Sequence, residues 1–153
     1  MLFDVLLLVL LCHNHRLVGN VLCLINVSKN GVSEKEIQEV LGVSGEVFCQ
    51  LFRWLGPLVV VRRGLMSLQY EGCKDVVEFV YMSNAAVFEG VCRSLIGYFD
   101  GLKRRKIFNS RVLEELPWLL EKIHDFEQLK DCLTNLDFFE AVLTSPISHL
   151  LKL

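Results

Sequence analysis

The stretch VSEKEIQEVLGVSGEVFCQLFRWLGPLVVVRRGLMSLQY, Val32 to Tyr70, decides the fold. Its first residues carry two start signals for one helix. Ser33 and Glu36 stand at capping-box spacing, and Val32 and Ile37 stand at hydrophobic-staple spacing. That helix runs to about Leu41, where Gly42 closes it. Val43-Ser44 then repeats the pattern: Ser44 caps, and Val43 is placed to staple onto Phe48. The helix that follows is expected to bury Val47, Phe48, Leu51, Phe52 and Leu55 before Gly56-Pro57 stops it. Leu58 to Arg62 and Leu65 to Tyr70 read as short β-runs, and Arg63-Gly64 between them suits a tight hairpin turn. In the second run Leu65, Ser67 and Gln69 alternate with Met66, Leu68 and Tyr70, as in a half-buried strand.

Upstream, Leu17 to Val27 sets Val18, Val21, Leu22 and Ile25 at helical spacing, and Ser28-Lys29-Asn30-Gly31 ends that helix. The order is helix, helix, helix, strand, turn, strand. That is the order of a winged helix, three helices with a β-hairpin wing; a helix-rich bundle is the competing reading, because short apolar runs identify strands poorly. Beyond the wing the chain reads as helical: Lys74 to Met82, then Asn84 to Leu102 with Val87, Val91, Leu95, Tyr98 and Leu102 as its stripe. Lys103-Arg104-Arg105-Lys106 reads as a basic loop. Arg111 to His124 reads as a helix interrupted by Pro117, Phe126 to Leu136 as another, and Phe138 to Leu143 and Ile147 to Leu153 as the last pieces. The expected fold is therefore mainly α: an apolar N-terminal segment over 1–13, a winged-helix domain over 14–82 and an α-helical bundle or linker over 83–153.

Length and composition narrow the function classes. A chain of 153 residues, 52% hydrophobic and 22% charged, holds a core of its own and is not a disordered scaffold. Its net charge of -2 supplies no global positive field for nucleic acid. Leu2 to Leu11 is apolar but shorter than the ~20 residues that cross a bilayer, and neither a basic n-region nor a small-x-small cleavage site accompanies it. A buried first helix is expected there, and no membrane partner. The six cysteines include no C-x-x-C pair; Cys23, Cys49 and Cys132 fall on apolar stripes, so reduced thiols in a cytoplasmic protein are expected.

Candidate chemistry is sparse. Cys12-His13-Asn14-His15 is the one dense group of metal-ligand types, but a structural zinc needs four ligands, and His124 and His149 stand isolated. No metal, cofactor or catalytic residue is expected. The chain has no G-x-x-x-x-G-K-[ST], no G-x-G-x-x-G and no G-x-S-x-G, so no triphosphate cradle and no nucleophile elbow. A winged helix raises DNA binding. Between Ser44 and Gly56, however, stand one base, Arg53, and one acid, Glu46, with Gln50 and Trp54 as the remaining polar donors. A helix that reads base edges between phosphates is more basic than this. The third helix is expected to contact protein, with Arg62, Arg63, Lys103, Arg104, Arg105 and Lys106 as partner-binding candidates. A standalone DNA-binding regulator, with a stripe of Gln50, Arg53, Arg62 and Arg63, is the alternative.

Two stretches carry a resemblance. VLCLINVSKNGVSEKEIQEVLGVS (Val21 to Ser44) followed by LFRWLGPLVVVRRGLMSLQYEG (Leu51 to Gly72) resembles the winged-helix region that follows the nucleotide-binding domain in STAND-class NTPases. The nearest types are the NACHT-like ATPases with C-terminal TPR or WD40 repeats, nephrocystin-type and telomerase-associated. RVLEELPWLLEKIHDFEQLKDCLTNLDFFEAV (Arg111 to Val142) resembles their helical linker. The resemblance implies a module that moves between ADP and ATP states and works by protein contact, with the ATPase core upstream and the repeats downstream in a longer parent. It transfers no catalytic residue. The apolar end, Ile147, Leu150, Leu151 and Leu153, either packs back or marks a chain cut from something longer.

Overall fold

The structure, a computed structural model, describes residues 15–145. The N-terminal apolar segment, Cys12, His13 and the terminal Ile147–Leu153 stretch lie outside the described residues. The chain divides into two units between Val91 and Cys92, inside a long helix.

In the first unit helix α1 (His15–Val27) is covered on most sides, with Val21, Leu22 and Leu24 all buried. It packs on α4 (Glu71–Tyr81), on β3 (Leu65–Leu68) and on α2 (Glu34–Leu41). α1 and α4 approach closely at Gly19, where a Cβ would stand 2.6 Å from the Tyr81 ring. Asn26 adds a side-chain bond of 3.2 Å to Glu78.

The capping box that opens α2 is complete. The Glu36 amide donates to Ser33 Oγ at 3.2 Å, and the Ser33 amide donates to the Glu36 carboxylate at 2.7 Å. Val32 and Ile37, the staple pair, are both fully buried. α3 (Gly45–Leu55) is capped by Ser44, which accepts from the Val47 amide. Its buried stripe is Phe48, Leu51 and Leu55, steps of three and four. Val47 falls one position off that stripe and is exposed, and Phe52 is only half-buried, so the five-residue face expected from the sequence narrows to three.

β2 (Val59–Arg62) and β3 form the expected hairpin, with Arg62 opposite Leu65. Arg63 and Gly64 have φ of 53° and 78°, the two positive values a type I′ turn requires. One strand was not expected. β1 (Val32–Ser33) pairs antiparallel with β3, so the sheet has three strands in the order β1-β3-β2. Gly31 makes this pairing possible: its φ is 90°, and a Cβ there would run into the Met66 carbonyl oxygen. Tyr70 does not continue β3; it is the N-cap residue of α4, which begins at Glu71 rather than Lys74. α4 turns Cys73 and Val77 inward and leaves Phe79 exposed.

The second unit begins within α5 (Ala85–Arg104). Its inner face is Cys92, Leu95, Ile96 and Phe99, offset from the expected stripe, and Val87 is exposed. α5 also runs two residues further than expected, so Lys103 and Arg104 form its last turn and not a loop. α6 (Ser110–Lys122) passes through Pro117 without a break. Proline cannot donate to the carbonyl four residues back, but Leu113, Leu116 and Leu120 are buried around it and hold the turn. α7 (Phe126–Leu133) ends earlier than the sequence suggested, because Asn135 caps a new helix, α8 (Leu136–Thr144), by accepting from the Phe138 amide at 3.0 Å. α6 packs against both α7 and α8.

Candidate interaction surfaces

In the first unit a cleft of about 490 Å³ opens between α3 and the β2–β3 hairpin. α3 supplies Phe48, Cys49, Phe52 and Arg53, and the hairpin supplies Val61, Gly64 and Met66. The strand pleat explains the hairpin's share, since Val61 faces Met66 across the ladder. Phe48 and Phe52 stack with centroids 6.0 Å apart and form the apolar floor. Glu34 completes the wall, its carboxylate accepting a 2.7 Å bond from Gln38 Nε2. Trp54 is about half exposed, at 53%. This cleft escaped the sequence reading because its walls come from segments that no local pattern connects.

The two wing arginines expected to act together are separated. Arg63 lies in the turn beside Gly64, whereas Arg62 shares its strand face with Val60, opposite the face of Val61. Both are exposed. Among the described residues neither has an acidic partner, and nor has Arg53.

In the second unit the basic run is engaged within the chain. Asp100 is buried in α5 and meets two members of the run at helical spacing, Lys103 Nζ at 3.2 Å and Arg104 Nη2 at 2.8 Å. Arg105 Nε donates to the Gly101 carbonyl at 3.2 Å, and Lys106 Nζ stands 3.1 Å from Asp137 of α8. The first half of the run thus belongs to the helix, while Arg105 and Lys106 form the exposed turn after it. Lys103 is largely covered, while Arg104 keeps 79% of its side chain exposed. The signal was present in the sequence as an acid three and four residues ahead of two bases. The same unit exposes Phe126, Leu136, Phe139 and Leu143 along α7 and α8.

Four of the five cysteines in the described part, Cys23, Cys73, Cys92 and Cys132, are buried. Burial pushes the Cys23 thiol up to about 11 and raises those of Cys73 and Cys132. Cys49 departs from the expectation of an apolar stripe, for it is exposed at the edge of the cleft. Among the described residues no three His, Cys, Asp or Glu side chains gather as a metal site would require. No described helix is long and apolar enough to cross a membrane. His124 lies at the end of α6 with φ of 57°, its ring tilted against Phe126.

These features define a mainly helical protein with a small three-stranded sheet. Over most of its length the chain is nephrocystin-like. It is 32% identical to human nephrocystin-3 over 123 residues, 78% of this chain. It is 30% identical to the mouse protein of that name over 127 residues, 76% of this chain, and 32% identical to that of Xenopus laevis over 120 residues, 76% of this chain. In all three cases it spans about 9% of the relative's length. No family model matches the chain, and no solved structure matches it.

Proposed function

We propose that this chain is the winged-helix and helical-linker module of a nephrocystin-type, NACHT-like STAND ATPase, and that it acts by contact with protein rather than by catalysis. In this reading residues 14–82 are the winged helix and 83–153 the linker, within a longer cytoplasmic parent with TPR-type repeats. The element order supports it: helix, short strand, two helices and a hairpin folding back on the first strand. The similarity to nephrocystin-3, at a small share of that protein's length, supports a place within a larger chain.

The observation that carries the reading is the character of α3. Beside its single amide, Gln50, and single base, Arg53, the helix presents Val47, Cys49 and Trp54 to solvent next to an apolar cleft. Apolar and aromatic groups of this kind are what protein interfaces bury. Arg62 and Arg63 supply exposed charge on the first unit. On the second unit the run Lys103, Arg104, Arg105 and Lys106 is a separate candidate contact, in which Arg104 is the most exposed of the ion-paired bases.

The test is calorimetric titration of the chain against the separately produced stretch that precedes the aligned region in human nephrocystin-3, with ADP and then with ATP. One-to-one binding that differs between the nucleotides is expected. No binding to that stretch, together with tight and steeply salt-dependent binding of duplex DNA, would replace this reading with that of a DNA-binding regulator.

A further inference from the structure

We infer that the α3–hairpin cleft receives a segment of another protein in which an apolar anchor stands next to a carboxylate; this rests on the protein-contact reading above and names the partner's chemistry. The volume, about 490 Å³, lies within the ~300–1,000 Å³ range of clefts that enclose a ligand group. Its floor of Phe48 and Phe52 and its hairpin wall of Val61 and Met66 offer no hydrogen bond from a side chain, so the inserted group is apolar.

Charge then selects the anchor's neighbour. Arg53 stands in the wall one helical turn from Cys49, and Arg63 is the chain neighbour of Gly64, which lines the cleft. Among the described residues neither guanidinium has an acidic partner. The one carboxylate in the wall, Glu34, already accepts from Gln38. An incoming acid is repelled at the Glu34 side and drawn to the Arg53 side, which sets the direction in which the segment lies. A nucleic-acid phosphate meets the same two arginines but nothing in the apolar floor.

The test uses the full chain and two fluorescein-labelled synthetic peptides. Both carry a Leu-Phe pair, one flanked by Asp and Glu and the other by Lys. Anisotropy is expected to show binding of the acidic peptide that weakens with salt, and roughly tenfold less affinity for the Lys peptide. Val61→Asp, at a half-exposed position, should weaken the acidic peptide roughly tenfold without loss of fold by circular dichroism. Arg53→Glu should move the preference to the Lys peptide, which a merely structural role for Arg53 does not produce. Equal binding of both peptides, binding of neither, or a concentration-dependent dimer abolished by Val61→Asp would overturn the inference. If the nephrocystin-3 stretch binds and neither peptide does, the inference falls and the protein-contact reading stands.

Discussion

Arg111 donates a 2.7 Å hydrogen bond to the carboxylate of Glu115, one turn along α6, and that carboxylate is wholly buried. The guanidinium also lies 5.7 Å from the centre of the Phe99 ring. A buried carboxylate loses its hydration, and a cation at bonding distance offsets that loss. Arg111→Met keeps the packing of the stem but removes the cation. It is expected to lower the free energy of unfolding by about 3 kcal/mol. The double replacement R111M/E115L should recover most of that loss, because an apolar pair of similar volume does as well in a core as an ion pair. Urea denaturation of both variants measures the difference; a single replacement as mild as the double one would contradict it.

Two glycines with positive φ are predicted to differ in what they tolerate. Gly64, in the hairpin turn with φ of 78°, has open space where a Cβ would go. Its replacement by alanine meets only the left-handed backbone penalty, about 1 kcal/mol. Gly31, with φ of 90°, has the Met66 carbonyl in that space, so alanine there must also push β1 away from β3. G31A is expected to cost at least about 2 kcal/mol, and to lower the melting temperature clearly more than G64A. Equal melting temperatures would show that the close approach carries no energetic weight.

These two glycines also mark where the sequence was legible. The turn around Arg63-Gly64, the capping box of Ser33 and Glu36 and the cap at Ser44 are local devices; the chemistry that forms each lies within a few residues. β1 is two residues long and exists because Met66 and Leu65 lie beside it, so no periodicity announces it. In α5 apolar residues occupy more than one face. Only packing against other helices of the unit selects Cys92, Ile96 and Phe99 over Val87. Pro117 reads as a break by its own chemistry, and the burial of its neighbours overrides that. Among the candidate site residues, the basic run looked free because it was read without Asp100, the acid just ahead of it. The cleft was invisible for the same reason as β1: its parts meet only in the fold.

Cysteine chemistry offers a test of the packing within each unit. Reaction with iodoacetamide requires thiolate, and burial holds Cys23 protonated up to about 11 and raises Cys73 and Cys132 in the same direction. A thiol pKa raised by folding stabilises the fold below the ordinary thiol range, and that contribution fades as pH climbs through the folded value. Cys49 is exposed. In a Cys12→Ser background at pH 8, Cys49 should therefore be alkylated roughly a hundredfold faster than the four buried thiols. Peptide mass spectrometry over a time course measures the order, and early labelling of Cys23 would contradict the burial of α1.

Acid should loosen the start of α7. Asp125 caps α7 by accepting from the Gln128 amide at 3.1 Å, and its other oxygen accepts from Arg93 of α5 at 2.6 Å. The Arg93 hydrogen bond first, and the Gln128 amide second, hold this carboxyl below the usual aspartate range. A carboxyl whose pKa is depressed on folding contributes stability above its unfolded value, ~3.9, and loses it as pH falls through the lower folded value. Asp125→Asn retains the capping oxygen and removes the charged acceptor that faces Arg93. Stability of the wild type over D125N should be greatest near neutral pH and fall away as pH drops below the ordinary aspartate range. Paired thermal melts across that range measure it; a difference that persists undiminished in acid would show that the Arg93 contact is not held by the carboxylate's charge.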